Sequence, residues 1–486
     1  MTRILYVVLV FVLANIAMGE VALEDDFVTG ILQRADILYT DSVTRHFYYV
    51  LPESYDPEIE NPLYIWLHGG VSREELPEIN NDVLESWQLI PRLLEEGYVI
   101  AFPCGQQGSV WWDRVGEQGI LDIVKRMKFN FNISDSKVFV GGFSDGASGT
   151  MSLMMLHPDY FAGYLAFSGH IGVAALDGGR GTYLPNLANR PGIMTHSDED
   201  GLYPTEGMAS SIQIAEDAGA EFDYYTFPFF DHDPGYLPQI EDEIISFLSH
   251  TERARFPSEI IWETYEPTGC DWLRIDSVIP WPLIGEDFDF NTLMVSDRIR
   301  FGFYPDRDYE GSGVRIAVTL EDDCPALRLG LLEGDVITGF MGSEVLSMHD
   351  LSEITGEMQA GDAFDISILR DGSVIEMRDG FDPPAYYWLL PRENPSVRID
   401  ASYSDNKFEL EVNRMCNIRL LLHPEMVDFS EEIIVVCNGY EVFRDLVQED
   451  ESFAELNFVE NYDSERIYSA ELYLPLEELL PELMYQ

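Results

Sequence analysis

Basic residues, and lysine above all, are scarce in this sequence. Its 486 residues include 87 acidic and 29 basic side chains, which gives a formal net charge of −58. The lysines are Lys125, Lys128, Lys137 and Lys407. A surface of this charge repels nucleic acid and anionic lipid headgroups, so we expect neither as a partner.

Cysteine is also rare, and its spacing excludes the common zinc sites. The five cysteines show no C-x-x-C pair, and no other metal-binding pattern stands out, so we expect no metal and no cofactor. Cys416 and Cys437 lie in one β-rich region and could form a disulfide after export; free buried thiols are the alternative.

Long apolar runs are absent beyond the N-terminus. Arg3 precedes the apolar run Ile4–Ala14, and Ala17 and Gly19 are small residues of the kind that signal peptidase reads. This pattern predicts a signal peptide over residues 1–19 and a secreted or periplasmic protein with no membrane span after cleavage. The alternative is an uncleaved anchor, for which the run is short.

From Leu38 to Leu248, short apolar runs alternate with helix-like segments. This alternation predicts an α/β domain over residues 20–252, with a mostly parallel sheet and helices on both faces. The predicted strands are Arg45–Leu51, Leu63–Leu67, Tyr98–Phe102, Lys137–Val140, Tyr164–Phe167, Gly192–His196 and Phe222–Phe227.

The remainder of the chain is β-rich. Turn residues and alternating strands dominate residues 258–295 and 383–486, which flank a compact unit at 296–382. The simplest interpretation is a sandwich-like domain interrupted by the compact unit. Three domains in a row are the alternative.

The strongest chemical motif is G-x-S-x-G, formed by Gly142, Ser144 and Gly146. A β-branched strand precedes it and a helix follows it, which is the context that exposes a nucleophilic serine on a sharp turn. The motif therefore predicts that Ser144 is a nucleophile. A plain Gly-Ser turn is the alternative.

A serine nucleophile needs a base and an orienting carboxylate, which follow it in the order acid, then histidine, in this type of fold. His232 follows the last predicted strand and is the expected base. Asp198 and Asp200 both follow the preceding strand, and either could be the acid.

Donors for a developing oxyanion are expected at two backbone positions. One is the N–H of Asp145, directly after the serine. The other is the N–H of Gly70, with Val71 as the alternative, in a strand ending that reads His-Gly-Gly; His68 is interpreted as structural. 

Trp111 and Trp112 lie in a loop on the same edge of the predicted sheet as Ser144. They either line the substrate pocket or belong to the core.

Together these motifs resemble the secreted esterase branch of the α/β-hydrolases over residues 38–250. That branch includes polyhydroxybutyrate depolymerase-like, feruloyl and acetyl xylan esterase-like, and phospholipase/carboxylesterase-like proteins. The spacing His196-x-x-x-Asp200 is similar to its H-G-x-x-D arrangement and favours Asp200 as the acid. The resemblance implies a serine hydrolase that cleaves an ester-bearing small molecule or polymer. The segments that carry it are Leu67–Gly70, Gly142–Gly146, His157–Gly163, Ser168–Gly169, His196–Asp200 and His232.

The compact unit resembles a PDZ domain of the bacterial, permuted type. The resemblance rests on Cys324–Ile337, Gly342–Val345 and Leu369–Gly372. It implies that the Phe301-Gly302-Phe303 backbone binds the carboxylate of a peptide C-terminus. A structural unit with a vacant groove is the alternative.

Three functions remain open from the sequence. The first is an ester hydrolase acting through Ser144, His232 and Asp200. The second is a prolyl-oligopeptidase-like peptidase, which shares the same core and would use the PDZ-like unit for peptide ends. The third is a non-catalytic scaffold or adhesion protein, which the complete set of catalytic residue types argues against.

Overall fold

The structure is a computed structural model that describes residues 28–87, 89–283, 293–297, 299–306, 309–320, 323–356, 358–389 and 394–480. The predicted signal peptide, residues 1–19, lies outside this part. The chain divides into two compact units, one formed by residues 291–389 and the other by the chain on both sides of them. Within the described residues, no helix has the length and apolar character needed to cross a membrane.

An eight-stranded sheet forms the first part of the larger unit. Its spatial order is β1-β2-β4-β3-β5-β6-β7-β8. The strands from β4 onward in that order run parallel, whereas β1, β2 and β4 pair antiparallel. The strands are β1 Gln33–Leu38, β2 Thr44–Val50, β3 Asn61–Leu67, β4 Val99–Pro103, β5 Ile133–Phe143, β6 Gly163–Phe167, β7 Gly192–Ser197 and β8 Phe222–Phe227.

The central strands are covered on both faces. Every residue of β4, β6 and β7 is buried, which is the pattern of a parallel sheet enclosed between helical layers. The helices are α1 Val83–Ser86, α2 Leu89–Glu95, α3 Arg114–Asn130, α4 Asp145–Leu156, α5 Val173–Gly178, α6 Thr205–Asp217 and α7 Glu241–His250. The predicted α/β class and its mostly parallel sheet are confirmed.

Two further sheets form a sandwich in the same unit, and they join the two predicted β-rich segments. One sheet has the order β10-β11-β22-β25 and the other β24-β23-β21-β20-β9. Alternating burial along β21 and β25 shows that one face of each sheet lines a shared apolar core. The strands are β9 Glu259–Thr264, β10 Gly269–Cys270, β11 Leu273–Leu283, β20 Val397–Ser404, β21 Lys407–Val412, β22 Arg414–Leu422, β23 Ile433–Cys437, β24 Tyr440–Asp445 and β25 Ala470–Pro475, with helices α10 Glu451–Asn461 and α11 Leu476–Leu479.

Cys416 and Cys437 lie in the core of this sandwich. All five cysteines are buried and none forms a disulfide. The structure therefore agrees with the alternative of free buried thiols.

The smaller unit has its own sheet and core. Its sheet runs β13-β14-β15-β17-β18, with β16 paired to β15, while β12 and β19 pair with each other. The elements are β12 Leu293–Ser296, β13 Phe303–Pro305, β14 Val314–Thr319, α8 Pro325–Arg328, β15 Val336–Phe340, β16 Ser343–Glu344, α9 Met348–Thr355, β17 Ala363–Arg370, β18 Ser373–Gly380 and β19 Ala385–Trp388. Because β12 and β19 are adjacent, the chain enters and leaves this unit side by side.

Candidate active site

Ser144 stands at a sharp turn between β5 and α4. Its backbone has φ 60° and ψ −122°, a region that costs a non-glycine residue energy and is found at functional turns. A side chain at Gly142 or Gly146 would overlap the carbonyl oxygen of Leu67. Both glycines of the motif are therefore needed for the chain to pass β3 at this turn.

The hydroxyl of Ser144 meets His232, which lies in the loop after β8. Oγ of Ser144 is 2.8 Å from Nε2 of His232, and Nδ1 of the same ring is 2.8 Å from Oδ2 of Asp200. If Nδ1–H donates to Asp200, Nε2 is free to accept the proton of the Ser144 hydroxyl. The three side chains thus form a continuous hydrogen-bonded chain, in which a proton can pass from Ser144 to His232 while Asp200 orients the ring.

Asp200 is held as a buried carboxylate. Its second oxygen, Oδ1, accepts the backbone N–H groups of Leu202 and Tyr203, each at 2.9 Å. Burial alone would raise the pKa of Asp200, but these N–H donors and His232 together keep it below its ordinary value. Asp198 is exposed and does not reach His232.

The loop after β3 lies against Ser144. An ideal Cβ on Gly69 would lie 3.1 Å from the Ser144 Cβ. Within the described residues, the N–H groups of Gly70 and Asp145 have no acceptor. The N–H of Val71, the alternative donor, is already bonded to the Asp145 carboxylate at 3.0 Å. The N–H groups of Gly70 and Asp145 are therefore unoccupied, whereas that of Val71 is not.

The two tryptophans do not line an open pocket, so that assignment is replaced by the core alternative. Trp111 and Trp112 are 1% and 2% exposed. The Trp111 indole N–H donates to the carbonyl of His68 at 2.9 Å, and that of Trp112 to Asp177 at 3.0 Å. Their burial arises from tertiary packing that the loop sequence does not reveal. Trp111 thus bonds the loop that follows β3.

Aromatic rings frame the histidine, and sequence reasoning missed them. Phe143 lies 4.9 Å from the His232 ring, measured between centroids, and Tyr203 lies 5.7 Å from it at a steep angle. His170 packs next to Tyr203. Phe143 is the variable residue before the serine in the motif. Its position next to Ser144 is the one sequence signal that could have suggested a contact with His232.

Metal-binding potential is confined to one group in the described residues, formed by Asp159, Cys270 and Asp271. Both carboxylates already form ion pairs with arginines. Asp271 pairs with Arg190 at 2.7 Å, and Asp159 pairs with Arg274 at 2.8 Å. The group is a buried ion network, and nothing in it points to a cation.

In the smaller unit, Phe301 and Gly302 precede the edge strand β13. The Phe301 ring packs on Phe340, Phe364 and Phe381. Its carbonyl accepts the N–H of Ala326 at 2.8 Å, while the N–H groups of Phe301 and Gly302 have no acceptor among the described residues.

Comparisons with known proteins give short or distant similarities. No family model matches the chain. A bifunctional acetylxylan esterase/xylanase of Neocallimastix patriciarum is 29% identical over 112 residues, which span 22% of this chain and 16% of that protein. 

Among solved structures, a ferulic acid esterase has a TM-score of 0.38 at 15% identity, covering 46% of this chain and 98% of its own. An acylaminoacyl peptidase has a TM-score of 0.38 at 13% identity, covering 46% and 42%. At these values the structural similarities carry no conclusion about activity.

Proposed function

We propose that this protein is a secreted serine hydrolase that cleaves carboxylic esters through an acyl-enzyme. The observation that carries the proposal is the relay from Ser144 through His232 to Asp200, with 2.8 Å at each step. A serine hydroxyl is a weak nucleophile, and in this arrangement His232 can take its proton as Oγ attacks.

The reaction would proceed in two steps. Ser144 Oγ attacks the ester carbonyl carbon while its proton passes to His232 Nε2, and Asp200 stabilises the resulting imidazolium. The intermediate collapses, the alkoxide leaves with the proton from Nε2, and the acyl group stays on Ser144. Water then attacks this acyl ester by the same route and releases the acid. The N–H groups of Gly70 and Asp145 would stabilise the oxyanion in both steps.

Turnover of p-nitrophenyl butyrate tests this function. We expect the wild type to hydrolyse the ester and Ser144→Ala to lose at least about 10³-fold in kcat. Ser249→Ala, an exposed serine on α7, is the matched control and should retain wild-type turnover. Absence of hydrolysis by the folded wild type, or equal turnover by Ser144→Ala, would contradict the proposal.

A substrate panel would narrow the ester class. Acetylated xylan comes first because the Neocallimastix patriciarum relative is a bifunctional acetylxylan esterase/xylanase, and methyl ferulate, polyhydroxybutyrate, phospholipid and peptides follow. Cleavage of peptides in preference to every ester would favour the peptidase alternative.

A second proposal concerns the smaller unit, which we infer binds peptide C-termini. The unbonded N–H groups of Phe301 and Gly302 beside the edge strand β13 support it, because a carboxylate accepts such donors and a peptide can extend a sheet edge. A fluorescent peptide should bind with a free C-terminus and lose binding when amidated; equal binding of the two forms would refute the inference.

A further inference from the structure

Arg73 is a cation without a partner among the described residues, three residues after Gly70. Its side chain is exposed, and within the described residues its guanidinium has no hydrogen bond and no ion pair. The neighbouring acids in the chain, Glu74 and Glu75, do not pair with it. This is unexpected in a protein with three acidic side chains for each basic one, because most arginines then have a carboxylate within reach.

Other arginines of the larger unit show the usual behaviour. Arg45 binds Asp41 with two nitrogens at 2.7 and 2.8 Å. Arg180 binds Glu117 and Glu266, and Arg253 binds Asp463 at 2.7 Å. Arg73 differs from them because no acidic side chain among the described residues pairs with its guanidinium.

The position of Arg73 is tied to the nucleophile through two consecutive glycines. An ideal Cβ on Gly69 would lie 3.5 Å from Ser144 Oγ, and one on Gly70 would lie 3.2 Å from Nη2 of Arg73. Neighbouring Cα atoms are about 3.8 Å apart. The guanidinium therefore lies over the same short loop that faces the reacting serine.

The main chain around Arg73 is tied to other parts of the site by hydrogen bonds. Its carbonyl accepts the N–H of Gln107 at 2.8 Å, and Val71 is held by the Asp145 carboxylate at 3.0 Å. Asp145 thus bonds the backbone, and among the described residues it forms no ion pair with Arg73.

We propose that Arg73 binds a carboxylate of the substrate, so that the site selects esters whose acid part carries a second, free carboxylate. This inference rests on the proposed esterase function. A guanidinium presents a planar fork of N–H donors that matches a carboxylate, and such charge-assisted bonds are about twice as strong as neutral ones. A local cation is also what an acidic substrate would require, because the rest of the protein repels it.

Matched ester pairs test the inference. The monoethyl esters of succinate, glutarate and adipate carry one carboxylate, whereas the diethyl esters of the same acids are neutral, and ethanol release is measured for both. We expect the wild type to prefer at least one monoethyl ester. Arg73→Gln should raise KM and lower kcat/KM for that ester by roughly tenfold to a hundredfold, as for one hydrogen bond to a charged group. The diethyl esters should change by less than about threefold.

Two further variants make the test specific. Arg73→Lys keeps the charge but not the fork, so it should retain part of the preference. Arg444→Gln, an exposed arginine of the sandwich that pairs with Glu441, is the control and should behave as wild type.

Each other outcome overturns the inference. Equal loss on monoethyl and diethyl esters would show that Arg73 stabilises the oxyanion or the loop instead. No loss on either would show that it binds no substrate group. A wild type that hydrolyses only the diethyl esters removes this inference and leaves the esterase function standing, whereas a wild type that hydrolyses no ester removes both.

Discussion

At the scale of single residues, the contacts of Asp200 separate two candidates that the sequence left open. Asp200 is buried and bonds both His232 and two backbone N–H groups, while Asp198 is exposed. We predict that Asp200→Asn lowers kcat by about 10⁴-fold, because the amide would hold the wrong tautomer of the histidine. Asp198→Asn should change kcat by less than about twofold. Comparable losses of kcat in the two variants would contradict the assignment of Asp200 as the acid.

The carboxylate of Asp145 is a positioning group that sequence reasoning did not find. It accepts the N–H of Val71 and so fixes the loop that carries Gly70. Asp145→Ala should lower kcat for neutral esters by roughly tenfold, the worth of one such bond, with KM less affected. Asp145→Asn retains an acceptor and should restore most of the activity; if it is as impaired as the alanine variant, the negative charge matters rather than the hydrogen bond.

At this scale the sequence indicated which residues lie near one another but not how deeply each is buried. Ser144, His232 and the two acids could be placed because each follows a recognisable strand. The burial of Trp111 and Trp112 could not be predicted, because the sequence of an aromatic loop is the same whether its side chains pack in the core or face a substrate.

At the scale of elements, β9 shows how the sandwich attaches to the chain segment between β6 and β7. The side chain of Asn186 donates to the carbonyl of Glu263 at 2.9 Å and accepts its N–H at 2.6 Å, and Asn189 does the same at Ile261. The two asparagine side chains thus bond backbone N–H and C=O groups that β9, as an edge strand, would otherwise leave without partners.

Loss of one asparagine should weaken this attachment. We predict that Asn186→Ala lowers the free energy of unfolding by about 1–3 kcal/mol, because buried backbone groups lose their partners. Urea unfolding measures this, with Gln213→Ala on the exposed face of α6 as the control. An unchanged midpoint would show that water replaces the asparagine without cost.

Element positions followed well from the sequence where apolar periodicity was strong. The predicted strands β2 to β8 agree with the structure to within a few residues, apart from β5, which begins at Ile133 rather than Lys137. The strand β1 was missed because its burial alternates only between partly buried and exposed. The pairing of β11 with β22 joins residues far apart in the chain, which no local pattern encodes.

At the scale of the larger unit, a buried ion network joins the part that carries the eight-stranded sheet to the sandwich. Asp271 bonds Arg190 and Arg466, and Asp463 bonds Arg253 and Arg466. Although burial would raise the pKa of Asp463, its arginine neighbours hold it below the ordinary value. Its ionised form therefore stabilises the fold above the ordinary carboxyl pKa, and this contribution is lost as pH falls through the lowered value.

Asp463→Asn should accordingly be much less stable than wild type at neutral pH, by about 3–5 kcal/mol, since it leaves the buried Arg253 without its ion pair. The difference should shrink on acidification. Thermal unfolding of both proteins across pH measures this, and a difference that stays constant or grows toward low pH would contradict the network's role.

The central claim for the whole molecule is that Ser144 is a nucleophile activated by His232. Labelling with a fluorophosphonate, followed by peptide mass mapping, tests it most directly. The account predicts one adduct on Ser144, none in Ser144→Ala, and labelling slowed by at least about 10²-fold in His232→Ala. An adduct on another residue, or an unchanged labelling rate without the histidine, would contradict it.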